Sequence, residues 1–545
     1  MVQATCIEKC WENTSEEDVD IYYPTYKLRL STGEIEEHEY KKLFQLIKNH
    51  EYDVTNLKIV EHTYNGTDEI LVETAAQVEV TEESLKEKAD VASLINKARI
   101  FGNITEIKTE CGHTCYLINA STNKHVLYIP DDVGALNKWT SPHSCTHLPN
   151  RRVALELKAL HGEIKVIGGR GLVNASLMFY DCEFDTIDLS RFHTDNVKDM
   201  FGMFASCRNL RSLNISGMNT GNVEIMSYMF DNCGLEELDF SVIDTSKCKF
   251  MQRMFSNSKF EELELSSFDT SNAINMRRMF SKCEAHRINI SGFNTNKVID
   301  MGGLFEDCEN IKEIDVSSLD TRNVESMAYM FSGLTLDSLD ISTLDTSNVR
   351  SMLSMFNELT VPNLDLRTLN TSKVKDMRCM FSRISTNSLD FSRFDTSNVE
   401  NMSHMFRYTH IKELDLSSFD THNVKYMHYM FADSKILNID ISSFDTSNVV
   451  DASSMFSGLV TVKLDLRNFN TKNIKDMEFM FQRSTIAEIN LSSFELCEWC
   501  ETRTTRMFDK CNTNKVMIPD KFFNVMTRDS DMHECGVCVV EDDNY

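Results

Sequence analysis

The chain has 545 residues, of which 41% are apolar, a net charge of −27 and a pI near 5.0. That charge argues against nucleic acid as a partner, because phosphate binding needs clustered Lys and Arg, and it favours cations or basic protein surfaces. No run of eighteen apolar residues appears and residues 1–20 lack a basic segment leading into an apolar one, so neither membrane insertion nor a secretory signal is expected and the expected location is cytoplasmic or virion.

Residues 1–110 read as a small N-terminal α/β domain. Residues 41–49 carry Leu43, Phe44, Leu46 and Ile47 at helical spacing. Residues 70–72 and 77–80 are strand-like, and 82–99 reads as a helix capped by Thr81 with Leu85, Ala89, Ala92 and Ile95 on one face. Residues 111–175 are expected to cap the open end of a repeat array, with strands at 116–118, 125–129 and 164–167. Cys111, His113, Cys115, His143, Cys145 and His147 make this segment rich in metal-ligand types, but their spacing matches no established motif. Gly168-Gly169-Arg170-Gly171 lacks the Lys-Ser/Thr of a phosphate loop and reads as a turn into the array.

From 176 to 510 a 25-residue unit recurs about fourteen times. Its clearest mark is Met-Phe or a near variant, with phenylalanine at 179, 204, 230, 255, 280, 305, 331, 356, 381, 406, 431, 456, 481 and 508. A solenoid of this kind grows by stacking units, so length alone does not demand several domains. The unit from Leu414 to Phe431 opens with an apolar–polar alternation, Leu414-Asp415-Leu416, as a half-buried strand does. Asp420, Thr421 and Asn423 follow, residue types that cap helix N-termini. Val424, Met427, Met430 and Phe431 then recur at three- and four-residue spacing, which predicts a two-turn helix. The expected fold is therefore an α/β, leucine-rich-repeat-like, right-handed solenoid with one strand and one short helix per unit. Residues 511–545 would cap its far end.

Three columns follow from aligning the units. A large apolar residue, such as Phe394, Phe419 or Phe444, precedes the cap and should form an internal spine. Threonine holds the cap in twelve successive units, from Thr194 to Thr471. Cysteine stands three residues after the phenylalanine at 182, 207, 233, 283, 308 and 511, and reads as small buried thiols rather than a redox column.

The outward strand position carries the candidate binding residues: Asp315, Asp340, Asp365, Asp390, Asp415, Asp440 and Asp465 in seven consecutive units. Stacked about 5 Å apart, neighbours would repel by about 0.8 kcal/mol in water and about 3 kcal/mol at an effective dielectric near 20. Something must compensate. Either each carboxylate accepts hydrogen bonds from a serine two positions on in the next unit, or from backbone, or the face binds a basic protein or cations. Two Cys-x-x-Cys pairs, Cys497/Cys500 and Cys535/Cys538, bracket the last cap. They could hold a tetrahedral zinc, form disulfides or remain plain thiols, and the 34-residue gap between them exceeds the usual zinc-ribbon spacing. No grouping of Ser, His, Asp or Cys has the context of a catalytic site, so an enzyme is not expected.

Phe394-Asp395-Thr396-Ser397-Asn398-Val399 and Phe444-Asp445-Thr446-Ser447-Asn448-Val449 match nearly letter for letter the unit of the BspA-like leucine-rich-repeat surface proteins, and the chain resembles that class over roughly 330 residues. The resemblance implies a repeat solenoid associated with adhesion. The leading expectation is a non-enzymatic protein-interaction solenoid, a scaffold or adhesin-like module that binds a protein partner through its strand face and needs no cofactor. Two alternatives belong to other classes: a structural component of a virion or phage particle that docks through the N-terminal domain, and an enzyme with its active site in the N-terminal region.

Overall fold

The computed structural model describes residues 2–12, 23–30, 35–39, 52–53, 95, 98–99, 103–108, 114–121, 123–130, 151–495, 502–519 and 539–540. The chain divides into two compact units, 1–92 with 139–147, and 93–138 with 148–545. In the first unit, β1 (Val2–Glu12), β2 (Tyr23–Leu30), β3 (Ile35–Glu39) and β4 (Tyr52–Asp53) form one sheet in the order β3-β2-β1-β4. The helix expected at 41–49 and the strands expected at 70–72 and 77–80 lie outside the described residues. Of the helix expected at 82–99, Ile95, Ala98 and Arg99 are described, and all three are helical.

The second unit opens with β5 (Ile104–Lys108), β6 (Thr114–Ser121) and β7 (Lys124–Ile129), a pair of antiparallel hairpins. Helix α1 (Arg151–Leu157) then leads to β8 (His161–Gly168), which pairs parallel with both β7 and β9 (Glu183–Phe192). The sheet thus passes without a break from the hairpins into the first coils, ending at β10 (Ser212–Asn214). Buried Leu117, Leu127, Ile129 and Val166 join the same apolar core as the repeats, which runs from Ile107 to Ile518. The apolar end of the array is covered by strands that continue it.

The repeats form a β-solenoid of about fourteen coils, and here the structure departs from the expected strand-plus-helix unit. Between Glu183 and Glu495 the described residues contain no α-helix, only a short 3-10 turn at Phe240–Val242. The Met-Phe segment is a run of turns whose backbone bonds sideways to the next coil. Met402, His404, Phe406 and Tyr408 donate their N–H groups to the carbonyls of Tyr426, His428, Met430 and Ala432 at 2.9–3.0 Å. The residues between them bond backwards: the N–H groups of Met405 and Arg407 reach the carbonyls of Met402 and His404, three residues earlier. This alternation requires left-handed backbone at His404 (φ 59°) and Tyr408 (φ 57°), and equivalent residues in the other coils repeat it. A helix cannot pass through such residues, because each reverses the sense of the turn. Apolar residues three and four apart still face inward, which is why the pattern imitates a helix.

Inside the coils the phenylalanines stack face to face. All thirteen consecutive pairs from Phe179 to Phe508 have ring centroids 4.9–6.3 Å apart and planes within 23° of parallel. The expected spine is present as a second column, with Phe394, Phe419, Phe444, Phe469 and Phe494 stacked at 6.4 Å. The threonine column is buried but caps no helix. The Thr396 hydroxyl donates to the Asp420 carbonyl at 2.8 Å and accepts the Asp420 N–H at 2.9 Å, so one side chain bridges two coils in both directions. A neighbouring amide column works similarly: Asn398, Asn423 and Asn448 donate to the carbonyls of Ser372, Ser397 and His422 in the preceding coil at 2.7–2.8 Å. The cysteines at 182, 207, 233, 283, 308 and 511 are buried. Burial pushes the Cys182 and Cys233 thiols up to about 12, which makes them packing groups and not nucleophiles.

Strands on the other side of the coils are less continuous. Regular pairing stops after β10, resumes as β11 (Glu262–Glu264) with β12 (Arg287–Asn289), and returns only with β13 (His410–Asp415), β14 (Lys435–Asp440), β15 (Val460–Asp465), β16 (Thr485–Asn490), β17 (Lys515–Met517) and β18 (Val539–Val540). Both breaks coincide with a 26-residue unit, Phe204 to Phe230 and Phe305 to Phe331, where one extra residue precedes the strand. Pro362 extends the second break. Asp337 and Asn387 donate their N–H groups to the preceding coil, to Lys312 and Pro362, but proline at the equivalent position has no N–H to give.

Candidate functional site

The acidic column stands where the alternation places it, on the outer face of the strand side. Asp315, Asp340, Asp365, Asp390, Asp415 and Asp440 are exposed and Asp465 is half-buried. Each succeeds its neighbour by one coil, and Asp415 and Asp440 are in register across β13 and β14. The column is assembled from single residues of consecutive coils.

Each carboxylate is satisfied within its own coil and not by the next unit's serine. The Asp340 carboxylate accepts the Ser342 N–H at 2.9 Å, and Asp315, Asp390, Asp415 and Asp440 do the same with Ser317, Ser392, Ser417 and Ser442 at 2.9–3.0 Å. The serine hydroxyl and amide hold the Asp315, Asp340, Asp390 and Asp415 carboxyls below the usual range, against repulsion from a neighbouring aspartate in the column. Two positions differ, because arginine replaces that serine. Arg367 and Arg467 donate to Asp365 and Asp465 through Nε and a terminal nitrogen at 2.8–3.0 Å, and Arg367 pulls Asp365 down to about 2. No ion pair engages Asp315, Asp340, Asp390, Asp415 or Asp440 among the described residues.

Asparagine fills the same column at Asn214, Asn289 and Asn490, and accepts the corresponding N–H at 3.1 Å in each case. Asn289 also donates to both oxygens of Glu264 at 2.8 Å, and Asn214 donates to Asp188 at 3.2 Å. An amide therefore suffices for the local turn, and it tethers the carboxylate of the preceding coil. From Asp315 to Asp465 no such amide intervenes, so the repeated negative charge is left facing outward.

Among the described residues no group of three or more His, Cys, Asp or Glu side chains is arranged to hold a metal ion. Cys497, Cys500, Cys535 and Cys538 lie outside the described residues, as do Cys111, His113, His143, Cys145 and His147, whereas Cys115 is buried in β6. No described helix is long and apolar enough to cross a membrane. The amide column and the paired Arg367 and Arg467 were not anticipated from sequence. Their signals were present, in the Asn that recurs two residues after the column threonine and in the Arg that displaces Ser at 367 and 467.

No curated protein and no solved structure matches the chain. A family model does, in five overlapping stretches at 163–260, 235–338, 300–412, 334–435 and 407–520. Together these cover the whole solenoid and more than half of the 545 residues, so the chain belongs to the family described as Mycoplasma protein of unknown function, DUF285.

Proposed function

We propose that the solenoid is a non-enzymatic interaction module, a scaffold or adhesin-like body whose strand face receives a basic protein partner. One observation carries the reading: consecutive coils present carboxylates, six of the seven exposed, that accept N–H groups from their own turns, and among the described residues five of the seven have no ion pair. A column of like charge costs repulsion, and a partner carrying lysine or arginine relieves it. Similarity of the Phe394–Val399 and Phe444–Val449 stretches to the BspA-like surface proteins supports a role in adhesion. The reading calls for no cofactor and no catalytic group.

Replacing Asp340, Asp365, Asp390 and Asp415 together with Asn tests it. The fold should survive, with the melting temperature moved by no more than about 5 °C, because asparagine already serves this position at 214, 289 and 490. Binding of a lysine-rich peptide, followed by calorimetry, should weaken severalfold at about 50 mM salt and differ little at about 500 mM, where screening is strong. Unchanged binding at low salt would remove the strand face as the contact surface. A large fall in melting temperature would make the carboxylates structural instead.

A further inference from the structure

The strand side has a second outward column, three residues ahead of the acidic one, and its character changes along the array. In chain order it reads Asp185, Arg211, Glu236, Glu261, His286, Lys312, Asp337, Pro362, Asn387, Lys412, Leu437, Val462 and Ala487. Nine of the first ten are polar or charged, and then three consecutive coils are aliphatic. Leu437 is 40% and Val462 is 56% exposed, among the few large apolar side chains that the described surface leaves open. They stand on β14 and β15, which pair over five residues each with β13 and β16 and with one another at Lys435 and Val460. Half-exposed Val460 and Ala487 extend the spot, and Asp415, Asp440 and Asp465 run along one side of it.

Single exposed aliphatic residues on a protein surface need no explanation. Neighbouring coils that lose a polar residue from an otherwise polar column, beside an unbroken row of carboxylates, are a different matter. We infer that the strand face between β13 and β16 is the specific contact of the module, and that it takes a protein segment presenting aliphatic side chains flanked by lysine or arginine. The inference rests on the strand-face reading and narrows it to one third of the array. An anionic lipid surface offers the wrong charge to Asp415 and Asp440, which are exposed and have no ion pair among the described residues. A purely cationic partner would leave Leu437 and Val462 in water. A basic and aliphatic segment satisfies both columns, the apolar contact supplying affinity and the carboxylates orientation.

The test uses the full-length protein and two synthetic peptides, one alternating lysine with leucine and one alternating lysine with serine. Both side chains of the aliphatic pair face solvent, so Leu437→Ser with Val462→Ser should leave the melting temperature unchanged. That double variant should bind the lysine–leucine peptide at least about tenfold more weakly, the loss expected when two aliphatic contacts are removed. Its weaker binding of the lysine–serine peptide should not change. Asp415→Asn with Asp440→Asn should weaken both peptides. If only the aspartate pair matters, the partner is read by charge alone and this inference fails while the strand-face reading stands. If neither pair matters, or the lysine–leucine peptide does not bind the wild-type protein, both are overturned at these coils.

Discussion

On the Met-Phe side, coil-to-coil bridges run without a gap from Asn174 to Arg503, whereas on the strand side regular pairing lapses between Asn289 and His410. The sequence suggests the reverse, an intermittent helix on one side and a continuous sheet on the other. The structure shows that the segment with helical spacing carries the continuous ladder, because each coil spends its backbone N–H groups on the next coil. The strand side absorbs irregularity. Extra residues in the two 26-residue units and the missing donor of Pro362 disturb it, while the phenylalanine column beside them keeps its stacking. Continuity therefore follows side-chain stacking, the buried threonine bridges and the exposed asparagine bridges rather than strand propensity.

Breaking the Met-Phe side should cost most. Phe406 is fully buried between Phe381 and Phe431. Phe406→Ala should lower unfolding free energy by about 3–5 kcal/mol in chemical denaturation, as large-to-small core changes do. A loss below about 1 kcal/mol would mean that the column is not the main source of cohesion. Thr396→Val comes next. It keeps the shape but leaves the Asp420 carbonyl and N–H without the hydroxyl that serves both, so about 1–3 kcal/mol should be lost. A neutral result would show that the bridging hydroxyl adds nothing to the backbone ladder.

Acid should separate the two sides into different pH windows. On the Met-Phe side, burial and then the neighbouring His428 and Arg407 depress His404 from 6.5 to about 4. Unfolding lets that imidazole take up a proton, so its contribution is complete above pH 6.5 and is lost as pH falls to about 4. On the strand side, Asp340 and Asp390 are held below 3.8 and Asp365 at about 2, so their contribution is present above 3.8 and is lost as pH falls to about 2. Melting temperature against pH should show an upper decline that His404→Gln removes and a lower one that it leaves. A single decline unaffected by His404→Gln would contradict the assignment.

The smallest effect is the most diagnostic of backbone shape. Lys282 has φ 58°, and glycine occupies the same column at Gly333 and Gly458. In a helix Lys282→Gly would cost about 1 kcal/mol. In left-handed backbone it should be neutral or stabilising by up to about 1 kcal/mol, because relief of the Cβ clash offsets the entropy of glycine.

Much of this architecture was legible in residue spacing. The period, the phenylalanine and threonine columns, the apolar spine and the outward aspartates all follow from which positions repeat, and burial obeys that repeat. The path of the backbone does not. Val399, Met402, Met405 and Phe406 suit an inward helical face as well as they suit alternating turns, and His404 and Tyr408 are not residue types that announce left-handed backbone. The available signal was glycine: Gly202 and Gly303 share the column of His404, and Gly333 and Gly458 share that of Tyr408. For the acidic column, spacing gave its position, but the choice between bonds within a coil and bonds across coils depends on an N–H direction that only the fold sets.

Each phenylalanine between the end members Phe179 and Phe508 meets another phenylalanine above and below, so no interior level of the stack is privileged. Excising residues 407–431 would bring Phe456 into the place that Phe431 holds above Phe406, and Asp445 into the place of Asp420 beside Thr396. The seam would resemble every other seam. Such an array can gain or lose whole coils by recombination, changing its reach in steps of about 4.8 Å without inventing a new contact.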